Sequence, residues 1–215
     1  MGGYAAVILA GGAGRRLGGA AKPLLPVGGR TLLERVLAAV PDAQPRVVVG
    51  PPDLGVPRDV VRVSEEPPGG GPVAALAAGL AAVDPPGSAA AVDPPGSAAA
   101  VDPPGSAAET AVLAADLPFL TADAIRRLRA ELATQSTVDG VVYVDGAGRY
   151  QTLCGVWRTE ALQAALRGQP HHHGAALRHL LAGLRIGTVS HDATGPPPWY
   201  DCDSPEDLDR AEGWA

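Results

Sequence analysis

Short apolar runs alternate with stretches of helical periodicity along most of the chain. Residues 4–10 (YAAVILA) are apolar without a break, as expected of a strand covered on both faces. Residues 46–49 (RVVV), 59–63 (DVVRV) and 111–115 (AVLAA) read as further strands, and 185–190 as a late one. Between them, Thr31 and Glu34 have the spacing of a capping box and open an amphipathic helix that Pro41 stops. Residues 72–83 begin with Pro at a helix start, and 121–133 carry Leu and Ile at helical spacing under an Arg-rich face. Helices are also predicted at 159–166 and 175–184, and one opens at Ser204, with Pro205 first and acids in its first turn. Strands at 140–144 and 150–157 flank Asp-Gly-Ala-Gly, a hairpin expected at a sheet edge. Alternating strands and helices imply an α/β fold, a three-layer α/β/α arrangement around a mainly parallel, Rossmann-like sheet.

One segment breaks this rhythm. AVDPPGSAA is spelled three times in succession, at 82–90, 91–99 and 100–108. Each unit has only Ala and Val to bury, and Asp-Pro-Pro-Gly-Ser favours turns and extended backbone. The expectation is one domain over 1–215 with a tandem-repeat loop inserted at about 82–108.

Composition narrows the class. Hydrophobic residues make up 46% and aromatics 4%, so a core is available and must be built mainly from Ala, Val and Leu. A net charge of −6 argues against nucleic-acid and membrane-coating surfaces. Two cysteines, Cys154 and Cys202, make no disulfide framework. The chain starts with neither a signal peptide nor a membrane span, and no membrane association and a cytoplasmic location are expected.

In a parallel α/β sheet, ligands bind beyond the carboxyl ends of the strands, so the residues just after strands carry the candidate chemistry. Leu9, Ala10, Gly11 and Gly12 follow the first strand, with Arg15, Arg16 and Lys22 close behind. Small residues let backbone N–H groups approach a ligand and the cations add charge, as polyphosphate binding requires. The loop is neither a Walker A sequence nor a Rossmann fingerprint, because no Gly-Lys-Ser/Thr closes it and Leu17 stands at the third glycine position. Asp116 ends an apolar strand and suits a hard cation such as Mg²⁺. Asp201 and Asp203 alternate on one side of an expected short strand and can face the same site. Glu65, Glu66 and the glycines at 69–71 lead into a helix N-terminus, where anions and a flat ring can approach the backbone. Three consecutive histidines, His171 to His173, lack the spacing of a tetrahedral metal site, and neither cysteine has the surroundings of a nucleophile.

Taken in order, LAGGAGRRLGGAAKPLL, VGGRTLLERVL, EEPPGGGPVAALAAGL, LAADLPFL, YQTLCGVWRTEAL and YDCDSPEDL resemble the MobA-like nucleotidyltransferases, the family of molybdenum cofactor guanylyltransferase. The likeness spans nearly the whole chain apart from the repeat. It implies an enzyme that transfers GMP from Mg·GTP to the phosphate of molybdopterin and releases pyrophosphate. By position, Leu9, Ala10, Gly11 and Gly12 would wrap the nucleotide, with Arg16 and Lys22 on its phosphates. Gly50 and Glu66 would lie near ribose and base, Asp116 would hold Mg²⁺, and Asp201 and Asp203 would stand near the reacting phosphates. Arg16, Lys22 and Asp116 are then the catalytic set, and Asp116, Asp201 and Asp203 the metal set. Ala21 stands where the family usually has Asp, which leaves Lys22 without a local partner. The alternatives are a cytidylyl- or other nucleotidyltransferase with a different phosphorylated acceptor, and a non-catalytic nucleotide-binding homologue.

Overall fold

The computed structural model describes residues 2–11, 21–84, 107–191 and 195–215. Gly12, Arg15, Arg16 and most of the AVDPPGSAA repeat lie outside these residues. The first strand, β1 (Tyr4–Leu9), is buried along its whole length. It owes this to its place between two parallel neighbours, β4 (Arg46–Val49) and β6 (Glu109–Ala114). β5 (Val61–Val63) pairs in parallel with β4 and closes that edge. On the other side, β8 (Tyr150–Arg158) runs antiparallel between β6 and β7 (Gly140–Val144), and β9 (Ile186–Ser190) lies parallel to β7. The order of this seven-stranded sheet is β5-β4-β1-β6-β8-β7-β9.

Alternation along β1 sends side chains to both faces. Ala6 and Ile8 join a core with α1 (Leu32–Ala39) and α3 (Ala122–Thr134). Ala5, Val7 and Leu9 join another with α2 (Pro72–Val83), α4 (Thr159–Arg167) and α5 (Leu177–Leu181). The result is the expected three-layer α/β/α architecture. A third, smaller core seats the antiparallel pair β2 (Pro26–Val27) and β3 (Arg30–Thr31) against α6 (Pro205–Glu212), through Val27, Leu32, Cys202 and Ala211. Phe119, Tyr200 and Trp214 meet edge to face beside it, with centroids 5.2–5.8 Å apart.

Local signals set most element starts. The Glu34 amide donates to the Thr31 hydroxyl at 3.1 Å and the Thr31 amide to the Glu34 carboxylate at 2.8 Å, a closed capping box. Ser204 and Asp207 repeat the device on α6. Three expectations need correction. The 140–157 hairpin is interior, because β9 returns alongside β7 and covers its outer edge. β5 starts two residues late, since the Val60 amide is taken by the Pro57 carbonyl in a turn. The helix expected at 175–184 forms only over Leu177–Leu181, with Ala176 extended and offering no capping side chain.

Gly79 lets α2 lie close to the sheet: a Cβ there would press into Val7 Cγ1 and sit 3.0 Å from Val49 Cγ2. Gly79→Ala is expected to cost about 1–3 kcal/mol through overpacking, despite the better helix propensity of Ala. Urea unfolding should show a lower midpoint at unchanged slope. Both cysteines are buried. Burial raises the Cys154 thiol far above its usual range, and burial with the nearby Asp116 carboxylate pushes Cys202 up to about 12. Neither is expected to react with a neutral-pH disulfide reagent in the native protein, and both should react on unfolding. A fast native thiol would overturn this packing.

Candidate active site

The carboxyl ends of β1, β4 and β6 reach the same edge of the sheet, because the three strands are parallel. The chain leaves β1 between neighbours that diverge on either side, which is where an open sheet forms a crevice. A cleft of about 680 Å³ occupies this place, lined by Leu9, Gly11, Gly50, Glu65, Asp116 and Leu153 among others. Val49, Pro51, Pro52, Pro68, Ala75 and Ala114 make much of its wall apolar. Gly50 belongs here for a steric reason. A Cβ at this position would lie 3.0 Å from Leu54 Cδ2 and 3.3 Å from Ala10 Cβ, so the strand end approaches its neighbours too closely for a side chain to enter freely. Ala10 is buried, its amide donates to the Val49 carbonyl at 2.8 Å, and it packs behind the cleft rather than lining it.

One end of the cleft is the loop from β5 to α2. Glu65 accepts the Gly69 amide on Oε1 at 2.9 Å and thereby folds the loop back on itself. Gly71, the residue that starts α2, has φ 87° and ψ −178°, a conformation open essentially only to glycine. No side chain caps α2, and its first residue, Pro72, has no N–H to satisfy. The loop is buttressed from behind, where the Gly174 amide donates to the Gly70 carbonyl at 2.7 Å. Glu66, singled out by the resemblance, is exposed and does not line the cleft; its neighbour Glu65 does. The adjacent acids cannot be told apart by spelling alone, and the Gly69 amide is what selects one of them.

The other end is acidic. Asp116 follows β6, and the Cys202 amide donates to its carbonyl at 3.3 Å, which brings the 201–203 segment alongside. Residues 201–203 form no strand, yet the alternation survives: Cys202 is buried and the two flanking aspartates are exposed. Lys22 opens a 3₁₀ turn (Lys22–Leu24) and sets its ammonium against both Asp116 Oδ2 and Asp203 Oδ1, the latter at 2.7 Å. The lysine and Asp116 side chains are each 18% exposed, Asp203 56%. Lys22 therefore has partners, contrary to the expectation raised by Ala21; they come from segments far away in the chain rather than from the preceding residue. Burial alone would lower its pKa, but the Asp116 and Asp203 carboxylates outweigh that, and the net direction is up. Asp201 is shifted upward by loss of hydration and then by the Asp203 and Asp116 charges. Asp116 Oδ1 is buried with no hydrogen-bond partner among the described residues.

Among the described residues no group of three His, Cys, Asp or Glu side chains is arranged as a ready metal cage. His172 instead has its Nε2 3.0 Å from the Leu166 carbonyl, an ordinary structural contact. No helix among the described residues is long and apolar enough to cross a membrane.

Comparison with known proteins gives the family and the fold. The MobA-like NTP transferase domain matches residues 6–189. A molybdenum cofactor guanylyltransferase of Rhodobacter capsulatus is 31% identical over 218 residues, covering 97% of this chain and 94% of that protein. One from Bradyrhizobium sp. (strain ORS 278) is 27% identical over 210 residues, covering 96% and 90%. Among solved structures, molybdopterin-guanine dinucleotide biosynthesis protein A from Archaeoglobus fulgidus superposes with a TM-score of 0.68 at 18% identity, covering 97% of this chain and 96% of that one. The 2-C-methyl-D-erythritol 4-phosphate cytidylyltransferase of Thermus thermophilus shares the fold, with a TM-score of 0.64 at 21% identity over 96% of each chain. On the strength of a match over most of its length, the chain belongs to the MobA-like NTP transferase family.

Proposed function

We propose that the protein transfers GMP from a GTP–metal complex to the phosphate of molybdopterin, releasing pyrophosphate. The observation that carries the reading is the polarity of the cleft. The Glu65–Gly71 loop and an uncapped helix start stand at one end, and Lys22 with Asp116 at the other, so a nucleotide can lie along it with base and phosphates in unlike surroundings. Relatives named molybdenum cofactor guanylyltransferase support the choice of substrates.

The base end offers guanine a carboxylate acceptor, and the choice over cytosine, whose N4 amino group also donates, rests on the relatives named guanylyltransferase. An ionised carboxylate only accepts, and guanine offers two adjacent donors, N1–H and the N2 amino group. Glu65 spends Oε1 on the Gly69 amide and keeps Oε2 for such a donor. The apolar wall suits the ring faces, and Gly11 and Gly50 give close backbone approach. In the same reading Leu9 and Gly11 flank the nucleotide. Gly12 and Arg16 follow in the same loop, outside the described residues, and would extend its contacts to the phosphates.

At the acidic end, Asp116 with Asp203 and Asp201 would hold the divalent ion, taken to be Mg²⁺. The fit rests on Asp116 Oδ1, a buried carboxylate oxygen that no donor among the described residues satisfies. The ion would neutralise phosphate charge and orient the triphosphate. No protein nucleophile is needed. A phosphate oxygen of the acceptor attacks the α-phosphorus, the bond from that phosphorus to the bridging oxygen breaks, and pyrophosphate leaves with the electron pair. The protein's part is to align the reactants and to offset the repulsion between anions, with the Lys22 ammonium beside the α-phosphate.

Removing one such contact typically costs about 10²–10³-fold in rate. Lys22→Ala is expected to lose turnover on that scale in single-turnover transfer from GTP to molybdopterin, with the fold retained by circular dichroism. Unchanged transfer would refute the role. Asp116→Ala is expected to abolish the metal dependence of GTP binding, read as the metal-dependent rise in thermal midpoint. The function as a whole is tested by pyrophosphate release with GTP or CTP and molybdopterin: GTP turnover supports it, whereas CTP preference, or no release with either, overturns it.

A further inference from the structure

Among the described residues, Lys22 is the cation that touches both Asp116 and Asp203. One ammonium thereby holds an oxygen of each carboxylate that the preceding reading gives to a metal. We propose that Lys22 is the resident counter-cation of this acid pair and excludes a divalent ion until the phosphates of a nucleotide draw its ammonium away. The inference rests on the assignment of Asp116 to the metal.

Three observations converge on it. Lys22 Nζ bridges elements that are far apart in sequence, Asp116 after β6 and Asp203 before α6, so it sits between the acids rather than beside one of them. The pair is not saturated by this contact, because Asp116 Oδ1 remains buried without a donor among the described residues. The lysine is also tethered loosely enough to leave. It stands at the first position of a three-residue turn that buries no side chain, and its four-carbon stem can re-aim the charge.

The consequence is electrostatic. A metal entering while the ammonium stays would place two cations on the same pair of carboxylates, so metal alone must push the lysine toward water. With a triphosphate present, the displaced ammonium gains new anionic partners. Metal and nucleotide therefore favour each other's binding, and by linkage the two effects are equal. The lysine's two tasks follow from one swing of its side chain: it offsets part of the carboxylate charge in the empty enzyme and meets phosphates in the loaded one.

The test is Mn²⁺ binding to the full chain without nucleotide, followed by electron paramagnetic resonance of the free ion. Lys22→Met and Lys22→Gln are expected to bind Mn²⁺ more tightly than the unmutated protein, by at least about fivefold, the lower end of typical coupling between sites. With GTP added, and the loss of free ion to GTP alone subtracted from a protein-free control, the order should reverse. Equal or weaker binding by both variants in the absence of GTP overturns the proposal. If the unmutated protein then still takes up Mn²⁺ with GTP, the proposal falls and the nucleotidyl-transfer reading stands. If no protein takes up Mn²⁺ with or without GTP, both fall. A readout on the unmutated protein guards against misfolded variants: saturating Mn²⁺ without GTP should speed acylation of Lys22, located by peptide mass, and an unchanged rate contradicts the displacement.

Discussion

Asp116 sits at the carboxyl end of a central strand, where its side chain is largely enclosed and one of its oxygens has no donor among the described residues. A buried carboxylate left without a counter-charge costs several kcal/mol, so the surroundings of this residue are constrained to supply positive charge. Much of the local architecture serves that constraint. Lys22 meets Asp116, and the Cys202 amide bonds to the Asp116 carbonyl, which brings Asp203 to the same ammonium. The small core of Val27, Leu32, Cys202 and Ala211 then fixes the two segments to each other.

The parallel sheet explains why that charge lies beside a cleft rather than in isolation. β1, β4 and β6 end on one edge, and the residues that follow them into the cleft are small or acidic: Gly11, Gly50 and Asp116. Close neighbours keep Gly50 bare, whereas a Cβ at Gly11 would meet, among the described residues, only Glu65 Oε1, at 3.8 Å. Facing them, α2 starts without a side-chain cap and with Gly71 in a conformation other residues rarely reach. The site is thus built mostly from backbone and short side chains, with Glu65 at one end and Asp116, paired with Lys22, at the other. Such a surface orders a flexible triphosphate by shape and counter-charge, and the reacting groups come from the substrates themselves.

Regular elements were largely legible in the sequence because their signals are local. The apolar run of β1, the Thr31–Glu34 box and the Pro72 and Ser204 helix starts each depend on neighbours within a few positions. Legibility failed where the decision is made elsewhere in the chain. The 140–157 hairpin has the spelling of an edge, yet β9 arrives to cover it. Asp201 and Asp203 alternate as on a strand, yet no strand forms, because what sets their direction is the burial of Cys202 between them.

The candidate site divides in the same way. Spelling alone picked out the loop after β1, Lys22, Asp116 and the Asp201–Asp203 pair, since residue type and position after a strand are one-dimensional properties. It also determined the α/β class through the period of its apolar positions. Only the tertiary structure decided that Lys22 bridges Asp116 and Asp203, and that Glu65 rather than Glu66 faces the cleft. The physical reason is that a charge chooses its partners by distance in space. Residues almost 100 and about 180 positions away in sequence become the nearest anions only once the strand ends have been brought to a single edge.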